Sequence, residues 1–379
     1  MTPSVRLGRL FGIEIGVNWS LIFIFALVAW TLATQILPYD VPGHAVLTYW
    51  VAAVIGAATF YGCLLAHEMA HALVARRNGV AVAGITLWLF GGVSRLDGEP
   101  KSAGSEALIA GVGPVTSFVI AGAAYAAGFA SQNASPLAAD VLMWLALVNV
   151  ALGAFNLVPA FPLDGGRLLS SFFWWRSGSR QRGVHNAVRI GRVFAFLMIA
   201  IGLFQLFTGN VPSGIWLAFI GWFLLSAGGS EEAGVAVRAM LRKVPVAAAM
   251  SSPVVTVPDW LTVQQFLEAV APQHHFTTYP VHEPSGNLTG VVHLSELVRI
   301  PHHERGDKHL IDAARPIAAV PKTTPTEELA ALIERIGSAF DQRVLVFDKG
   351  ELVGILSPVD VARVLTARKP FGGGAARPA

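Results

Sequence analysis

Long runs of apolar residues dominate the first 230 positions, whereas the rest of the chain mixes short apolar stretches with charged residues. A run of about 20 apolar residues is long enough to cross a bilayer as a helix. The pattern therefore predicts an α-helical integral membrane domain with six spans, at residues 17–37, 47–74, 106–130, 137–157, 188–207 and 211–227.

The segment between the second and third spans, residues 82–96, is apolar but too short to cross as a helix. Its β-branched residues and the pair Gly91-Gly92 favour a short extended hairpin or a re-entrant loop embedded in the membrane domain. Irregular or extended backbone is tolerated at that depth only where protein or a water-filled cavity satisfies its polar groups. The segment is therefore expected to lie against protein or a water-filled cavity.

The composition supports a membrane protein, because 54% of residues are hydrophobic and only 13% are charged. Soluble domains carry roughly 25% charged residues. The lipid bilayer is thus an expected partner, and a net charge of +3 without a basic block gives no reason to expect nucleic acid. The single cysteine excludes an intrachain disulfide and a cysteine-cluster zinc site.

Basic residues are distributed unevenly between the connecting loops. The loops at 38–45, 131–136 and 208–210 contain no Lys or Arg, whereas the opposite side receives many, including Arg76, Arg77 and Arg192. The positive-inside rule then places both termini in the cytoplasm. We expect a multi-pass protein of the cell membrane whose C-terminal half is cytoplasmic.

The second span ends in His67-Glu68-Met69-Ala70-His71. Positions four apart share one helical face, so His67 and His71 are placed to hold one Zn²⁺ ion, with Glu68 beside them as a base toward water. Two histidines making helix–helix hydrogen bonds would be the alternative. Ionisable residues are costly within a membrane span and are usually functional there, which favours the metal.

A catalytic zinc needs a further protein ligand, and the best candidate is Asp164 in the segment from Asn156 to Arg167, NLVPAFPLDGGR. Its two prolines break a helix, and Gly165-Gly166 permit a close backbone approach. Asp164 is alternatively the N-cap of the helix that follows. Capping does not exclude metal binding by the other carboxylate oxygen, so the residues alone leave both roles open.

The motifs HEMAH and NLVPAFPLDGG, in this order, resemble the site-2 protease family of intramembrane zinc metalloproteases over residues 1–230. The resemblance implies that His67, His71 and Asp164 bind zinc and that Glu68 is the catalytic base. It also implies that Asn156 positions the substrate or stabilises the oxyanion. Gly113 and Pro114 correspond to a Gly-Pro pair of the family.

The resemblance further implies regulated intramembrane proteolysis of a single-span membrane protein, such as an anti-sigma factor. A substrate helix hides its carbonyls, so cleavage requires local unwinding, and an edge strand near the site could pair with the unwound segment. The alternative function is a membrane transporter or channel gated by the C-terminal half. That alternative predicts repeats among the spans and polar residues along several of them, which the sequence does not display.

The C-terminal half contains two stretches of similar layout, which resemble tandem CBS domains with an α/β fold. In the second, Ser357 and Asp360 match the family's strand-to-helix pattern for an adenosine nucleotide, with Ser357 toward phosphate and Asp360 toward ribose. The corresponding positions in the first are His293 and Glu296. The alternative is that Ser357 caps a helix and that the pair serves only for homodimerisation.

The sequence thus predicts five regions. Residues 1–230 form the membrane-embedded metalloprotease domain, 231–243 a linker, 244–303 the first CBS repeat, 304–369 the second and 370–379 a disordered tail. We expect a homodimer through the CBS pair, and regulation of the protease by that pair.

Overall fold

The computed structural model describes residues 4–88, 91–274, 276–337 and 343–368. The predicted tail at 370–379 lies outside the described residues. The chain forms two compact units, Met1–Ala236 and Val237–Ala379.

Among the residues that the structure describes, six helices are long and apolar enough to cross a membrane, which confirms the predicted number of spans. Their bounds are α1 Leu21–Asp40, α2 Val46–Arg77, α3 Ala103–Ser131, α4 Pro136–Asn156, α6 Arg180–Phe207 and α7 Val211–Leu241. A shorter helix, α5 (Asp164–Ser177), stands between α4 and α6. The residues assigned to a linker, 231–243, are helical as far as Leu241.

Local sequence accounts for several helix ends. The hydroxyls of Ser102 and Ser179 accept hydrogen bonds from backbone amides of the first turn in α3 and α6. Pro136 begins α4, where its missing N–H is not needed. Gly178 ends α5 in the left-handed conformation, with φ +67°.

A four-stranded sheet lies beside these helices, in the order β1-β2-β3-β4. The strands are β1 Val5–Leu10, β2 Ile13–Val17, β3 Ala81–Trp88 and β4 Gly91–Asp97. The predicted hairpin is present as β3 and β4, which pair antiparallel. The first two strands were not predicted, and Val17, taken as the start of the first span, ends β2 instead.

The sheet packs on the helix that carries the HEMAH motif. Side chains from β2 and β3 form one buried cluster with the apolar side of α2, comprising Ile13, Ile15, Leu64, Met69, Ala72, Ile85 and Leu87. Because β2 and β3 are the inner strands, β4 is left at the edge of the sheet. This packing holds the edge strand next to His67 and Glu68.

Large apolar side chains remain exposed along the long helices, among them Phe23, Leu108, Phe196, Phe204 and Trp222. Such a continuous apolar exterior would cause a soluble protein to aggregate. In a bilayer the same side chains face lipid, as expected of a multi-pass membrane protein.

Within its described residues, the second unit contains two small sheets. One has the order β5-β6-β7-β8 and the other β11-β10-β9. The strands are β5 Val257–Pro258, β6 Thr278–His282, β7 Leu288–His293, β8 Arg315–Pro316, β9 Lys322–Thr323, β10 Val344–Asp348 and β11 Glu351–Leu356. The helices are α8 Val263–Gln265, continued by a π-helical turn at Phe266–Val270, α9 Leu294–Val298, α10 Leu310–Ala313, α11 Leu329–Ile336 and α12 Pro358–Arg368.

Each sheet's hydrophobic core draws residues from both predicted repeat ranges. Val244 and Val246 pack with Leu329, Leu332 and the second repeat's strands, and Ser251 pairs with Ile355 of β11. Conversely, Leu310 packs in the core of the first repeat. The entering segment of each repeat thus completes the other, so the two repeats fold as one interlocked pair.

Candidate metal centre

Three donor side chains converge between α2 and the start of α5. The Nε2 atoms of His67 and His71 are 3.1 Å apart, and Oδ2 of Asp164 lies 3.3 and 3.1 Å from them. All three residues are buried. A tetrahedral zinc with ligand distances near 2.0–2.1 Å separates its donor atoms by about 3.3 Å. The triangle therefore has the dimensions of a zinc site.

The other nitrogen of each imidazole has a partner that fixes the ring. Nδ1 of His71 lies 2.6 Å from the Ile109 carbonyl oxygen, which only accepts, so Nδ1 carries the proton and donates. Nδ1 of His67 lies 2.9 Å from the Ser117 hydroxyl. The carbonyl partner of His71 leaves its Nε2 unprotonated and aimed at a metal, and the Ser117 hydroxyl, which can donate or accept, fixes the orientation of the His67 ring.

The donor set fits a cation better than a hydrogen-bonded cluster. Oδ2 of Asp164 is buried and has no hydrogen bond of acceptable geometry among the described residues. The helix α5 begins at Asp164 itself, and the preceding residue, Leu163, occupies the N-cap. The alternative role of Asp164 as N-cap is therefore not the arrangement found.

Gly113 of α3 leaves open the space in front of the two imidazoles. A Cβ at this position would lie 2.2 Å from Nε2 of His71 and 2.6 Å from Nε2 of His67. Both separations are far below any van der Waals contact. The Gly-Pro pair noted in the sequence thus places a glycine where only a missing side chain leaves room for a metal.

The three donors open into a cavity of about 450 Å³. Polar groups on its wall include Glu68, Ser94, Asn156 and Arg167, while α7 contributes the apolar side chains of Trp216, Phe219, Ile220, Phe223 and Leu224. Glu68 is half-buried and accepts a hydrogen bond of 3.0 Å from the Ser94 hydroxyl. The amide nitrogen of Asn156 donates to the Leu152 carbonyl at 2.9 Å.

The structure thus brings together all five predicted residues of the metalloprotease site, namely His67, Glu68, His71, Asn156 and Asp164. Ser94 and Ser117 were missed. Only its position relative to Glu68 or His67 distinguishes each of them from the other serines and threonines of the membrane domain, and Ser117 even follows another hydroxyl residue, Thr116.

Ser357 and Asp360 lie together at the start of α12. Oδ2 of Asp360 accepts from the Ser357 amide at 2.9 Å, and the Asp360 amide donates to the Ser357 hydroxyl at 3.2 Å. This is a capping box, so the alternative role of Ser357 as a helix cap is realised. At the corresponding start of α9, Nδ1 of His293 instead lies 3.0 Å from the Thr278 hydroxyl, and burial lowers the His293 pKa.

The same capping box also borders a cavity of about 360 Å³. Residues of both repeats line it, including Phe276, Thr277, Arg343 and Arg363. The Asp360 carboxylate also accepts from the Ser251 hydroxyl at 3.0 Å and pairs with Arg363 at 3.1 Å. Capping therefore does not remove these residues from a binding cavity.

Comparisons with known proteins agree with the geometry. Residues 55–198 match the model of peptidase family M50, and residues 310–367 match the CBS domain. Rip3 of Mycobacterium tuberculosis, described as a zinc metalloprotease, is 40% identical over 96% of this chain and 93% of its own. A zinc metalloprotease of Methanocaldococcus jannaschii is 29% identical over 97% of each chain.

Among solved structures, the site-2 protease from Methanocaldococcus jannaschii is 29% identical, with a TM-score of 0.41, and covers 60% of this chain and 94% of its own. The identity with Rip3 extends over nearly the whole chain, including the C-terminal unit. This similarity to a metalloprotease over nearly the whole chain contradicts the transporter or channel alternative. The chain belongs to the M50, or site-2 protease, family of zinc metalloproteases.

Proposed function

We propose that the protein hydrolyses a peptide bond in or near the transmembrane segment of a single-span membrane protein. The observation that supports this most is the placement of the His67, His71 and Asp164 triangle in a cavity bordered by the edge strand β4. A soluble metalloprotease has no need of six surrounding apolar spans. A membrane substrate requires both an enclosed hydrolytic site and a partner for its unwound backbone.

His67, His71 and Asp164 would hold the zinc ion, which, when bound, polarises a carbonyl and lowers the pKa of water. Glu68 accepts the proton that the attacking water loses and delivers it to the leaving amine. Asn156, on the cavity wall, is placed to hold the substrate carbonyl or the oxyanion that develops from it.

The edge strand would receive the substrate. Gly91, Gly92 and Ser94 of β4 border the cavity, and the outer edge of β4 has no neighbouring strand among the described residues. An extended segment that adds to this edge satisfies the amides released by unwinding its helix. Apolar side chains on α7 would meet the apolar side chains of the substrate.

The depth of the site points to cleavage toward the cytoplasmic side. His71 lies six residues before Arg77 at the end of α2, which corresponds to about 9 Å along the helix. With the basic loops facing the cytoplasm, both termini and the CBS pair lie on that side of the cell membrane. We place the scissile bond in the cytoplasmic half of the substrate span.

The test is co-expression with candidate single-span proteins, anti-sigma factors among them. Glu68→Gln should reduce cleavage by about 10²- to 10⁴-fold, because it removes the general base. Zinc content, measured on the purified protein, should equal that of the wild type. The change Glu334→Gln at an exposed position of α11 is the matched control and should cleave normally. Cleavage retained in Glu68→Gln, or mapped to the outer leaflet, contradicts the proposal.

We also propose that the CBS pair binds an adenosine nucleotide and thereby regulates the protease. The cavity beside Ser357 and Asp360 is flanked by the guanidinium groups of Arg343 and Arg363, which suit phosphate. The backbone amides of Ser357 and Asp360 are already used in the capping box, so the attraction for phosphate comes from the two arginines. The homodimer through the CBS pair stays a prediction, because the structure contains one copy of the chain.

Nucleotide binding is tested by calorimetric titration of the full-length protein with AMP, ADP and ATP. Arg363→Ala should weaken binding by about 10-fold or more, the effect of losing one charge-assisted hydrogen bond. Arg299, exposed and unlike Arg363 absent from this cavity's lining, stands at the corresponding position of the first repeat. Arg299→Ala should bind as the wild type does. Equal losses in both variants, or no binding by the wild type, would refute nucleotide recognition here.

A further inference from the structure

The carboxylate of Glu68 is held by the edge strand rather than by a helix. The Ser94 hydroxyl donates to its Oε2 at 3.0 Å. The hydrogen bond that holds this carboxylate among the described residues thus comes from Ser94. A glutamate side chain has several rotatable bonds, so one charge-assisted hydrogen bond has a large influence on where its oxygens lie.

A second residue of β4 shapes the space for the same side chain. A Cβ at Gly92 would lie 2.3 Å from Cγ of Glu68 and 2.7 Å from its Cδ. Gly92 and Ser94 are two positions apart, and side chains at that spacing share one face of a strand. The face of β4 that meets α2 therefore makes room for the glutamate stem at one position and binds its carboxylate at the next.

A second hydroxyl of the same sheet, that of Thr86 on β3, does not make this contact with Glu68. Thr86 of β3 also carries a buried hydroxyl, yet that hydroxyl has no hydrogen-bond partner among the described residues. It pairs across the ladder with position 93, whereas Ser94 pairs with Ile85. Alternate positions point to opposite faces, so Thr86 lies on the face away from Ser94.

We propose that Ser94 and Gly92 are positioning residues for the catalytic base, so that the strand that receives the substrate also sets the place of Glu68. The inference rests on the proposed substrate addition to β4. Adjacent strands lie about 4.8 Å apart. A substrate segment added to β4 is thus placed relative to the same backbone that fixes the base, and the scissile bond lies opposite residues 92–94.

Such shared placement has a kinetic consequence. A base held by Ser94 is oriented whenever the strand is in place, and loss of the hydroxyl leaves backbone pairing with the substrate intact. The defect should therefore appear in the chemical step and not in binding.

The experiment compares Ser94→Ala, Ser94→Thr and Thr86→Val in purified full-length protein with a cleaved single-span substrate. Ser94→Ala should lower kcat by about 10- to 100-fold, with KM and zinc content unchanged. Ser94→Thr keeps a hydroxyl on a strand-favouring residue and should restore most of kcat. Thr86→Val, a nearly isosteric loss of the unpaired hydroxyl, should behave as the wild type.

Three results would overturn the inference. They are an unchanged kcat in Ser94→Ala, a loss expressed only in KM, or a Ser94→Thr variant as slow as Ser94→Ala. Melting temperatures of all variants identify any general loss of folding, which would lower zinc content as well. If instead the wild type and Glu68→Gln are equally inactive on every single-span protein, the proposed function fails, and the positioning role that rests on it fails with it; an active wild type with an unchanged Ser94→Ala overturns the positioning role alone.

Discussion

Gly113→Ala should yield a folded membrane protein that cannot hold zinc. The added Cβ would lie 2.2 Å from Nε2 of His71 and 2.6 Å from Nε2 of His67. It would occupy the space that a metal ion bound to these two nitrogens requires. The imidazoles cannot both retreat, because the Ile109 carbonyl and the Ser117 hydroxyl hold their Nδ1 atoms. We expect zinc content near zero by elemental analysis, and no detectable substrate cleavage.

The matched control is Gly111→Ala, two residues earlier on the same helix. A Cβ there would meet only Leu168 Cδ2, at the ordinary contact distance of 3.7 Å. Alanine is also favoured over glycine within helices by about 1 kcal/mol. This variant should keep zinc and activity with equal or higher thermal stability. Full zinc content in Gly113→Ala would show that the metal does not lie between these imidazoles.

The sequence was sufficient for the features that depend on local pattern. Six apolar runs predicted six spans, and the four-residue spacing of His67 and His71 predicted two ligands on one helical face. Span boundaries were less accurate where a polar helix end continues past the apolar run, as at Arg180 and Leu241. Hydropathy marks the lipid-facing part of a helix and not the turns that extend beyond it.

Features that depend on long-range pairing were harder to predict. The strands β1 and β2 are short, and their alternation of apolar and polar residues precedes a long apolar run directly, so the first span appeared to begin at Val17. The exchange of entering segments between the CBS repeats follows from contacts such as Ser251 with Ile355. These residues are 104 positions apart, and the local sequence of neither segment indicates that the two pair.

The residues of the metal site also fall into those that a local motif predicts and those that depend on long-range contacts. His67 and Glu68 are recognisable from a five-residue motif, whereas Asp164 needed the family resemblance before one role was favoured over capping. Ser94, Ser117 and the space at Gly113 depend on side chains that meet from three different elements. Single hydroxyls and glycines are too common in membrane helices to predict such contacts without coordinates.

Gly165→Ala should separate Asp164 from the two histidines. A Cβ at this position would lie 2.2 Å from the Leu157 carbonyl oxygen and 2.4 Å from that of Val158. These atoms belong to backbone, which cannot rotate away as a side chain does, so the segment between Asn156 and Asp164 must move. Overpacking of this kind costs about 1–3 kcal/mol or more. We expect reduced thermal stability, zinc affinity lowered by about 10- to 100-fold, and no cleavage.

Two comparisons make the result of this substitution specific. Gly122→Ala on α3, where a Cβ would meet nothing within 4 Å, should leave zinc affinity and cleavage unchanged. Asp164→Ala removes the carboxylate without moving the backbone, so it should match the zinc loss of Gly165→Ala while keeping a higher melting temperature. If Gly165→Ala bound zinc as tightly as the wild type, the loop would be able to shift without displacing the carboxylate. The close backbone approach at Gly165 would then serve packing alone, and the placement of Asp164 would have to depend on the start of α5 instead.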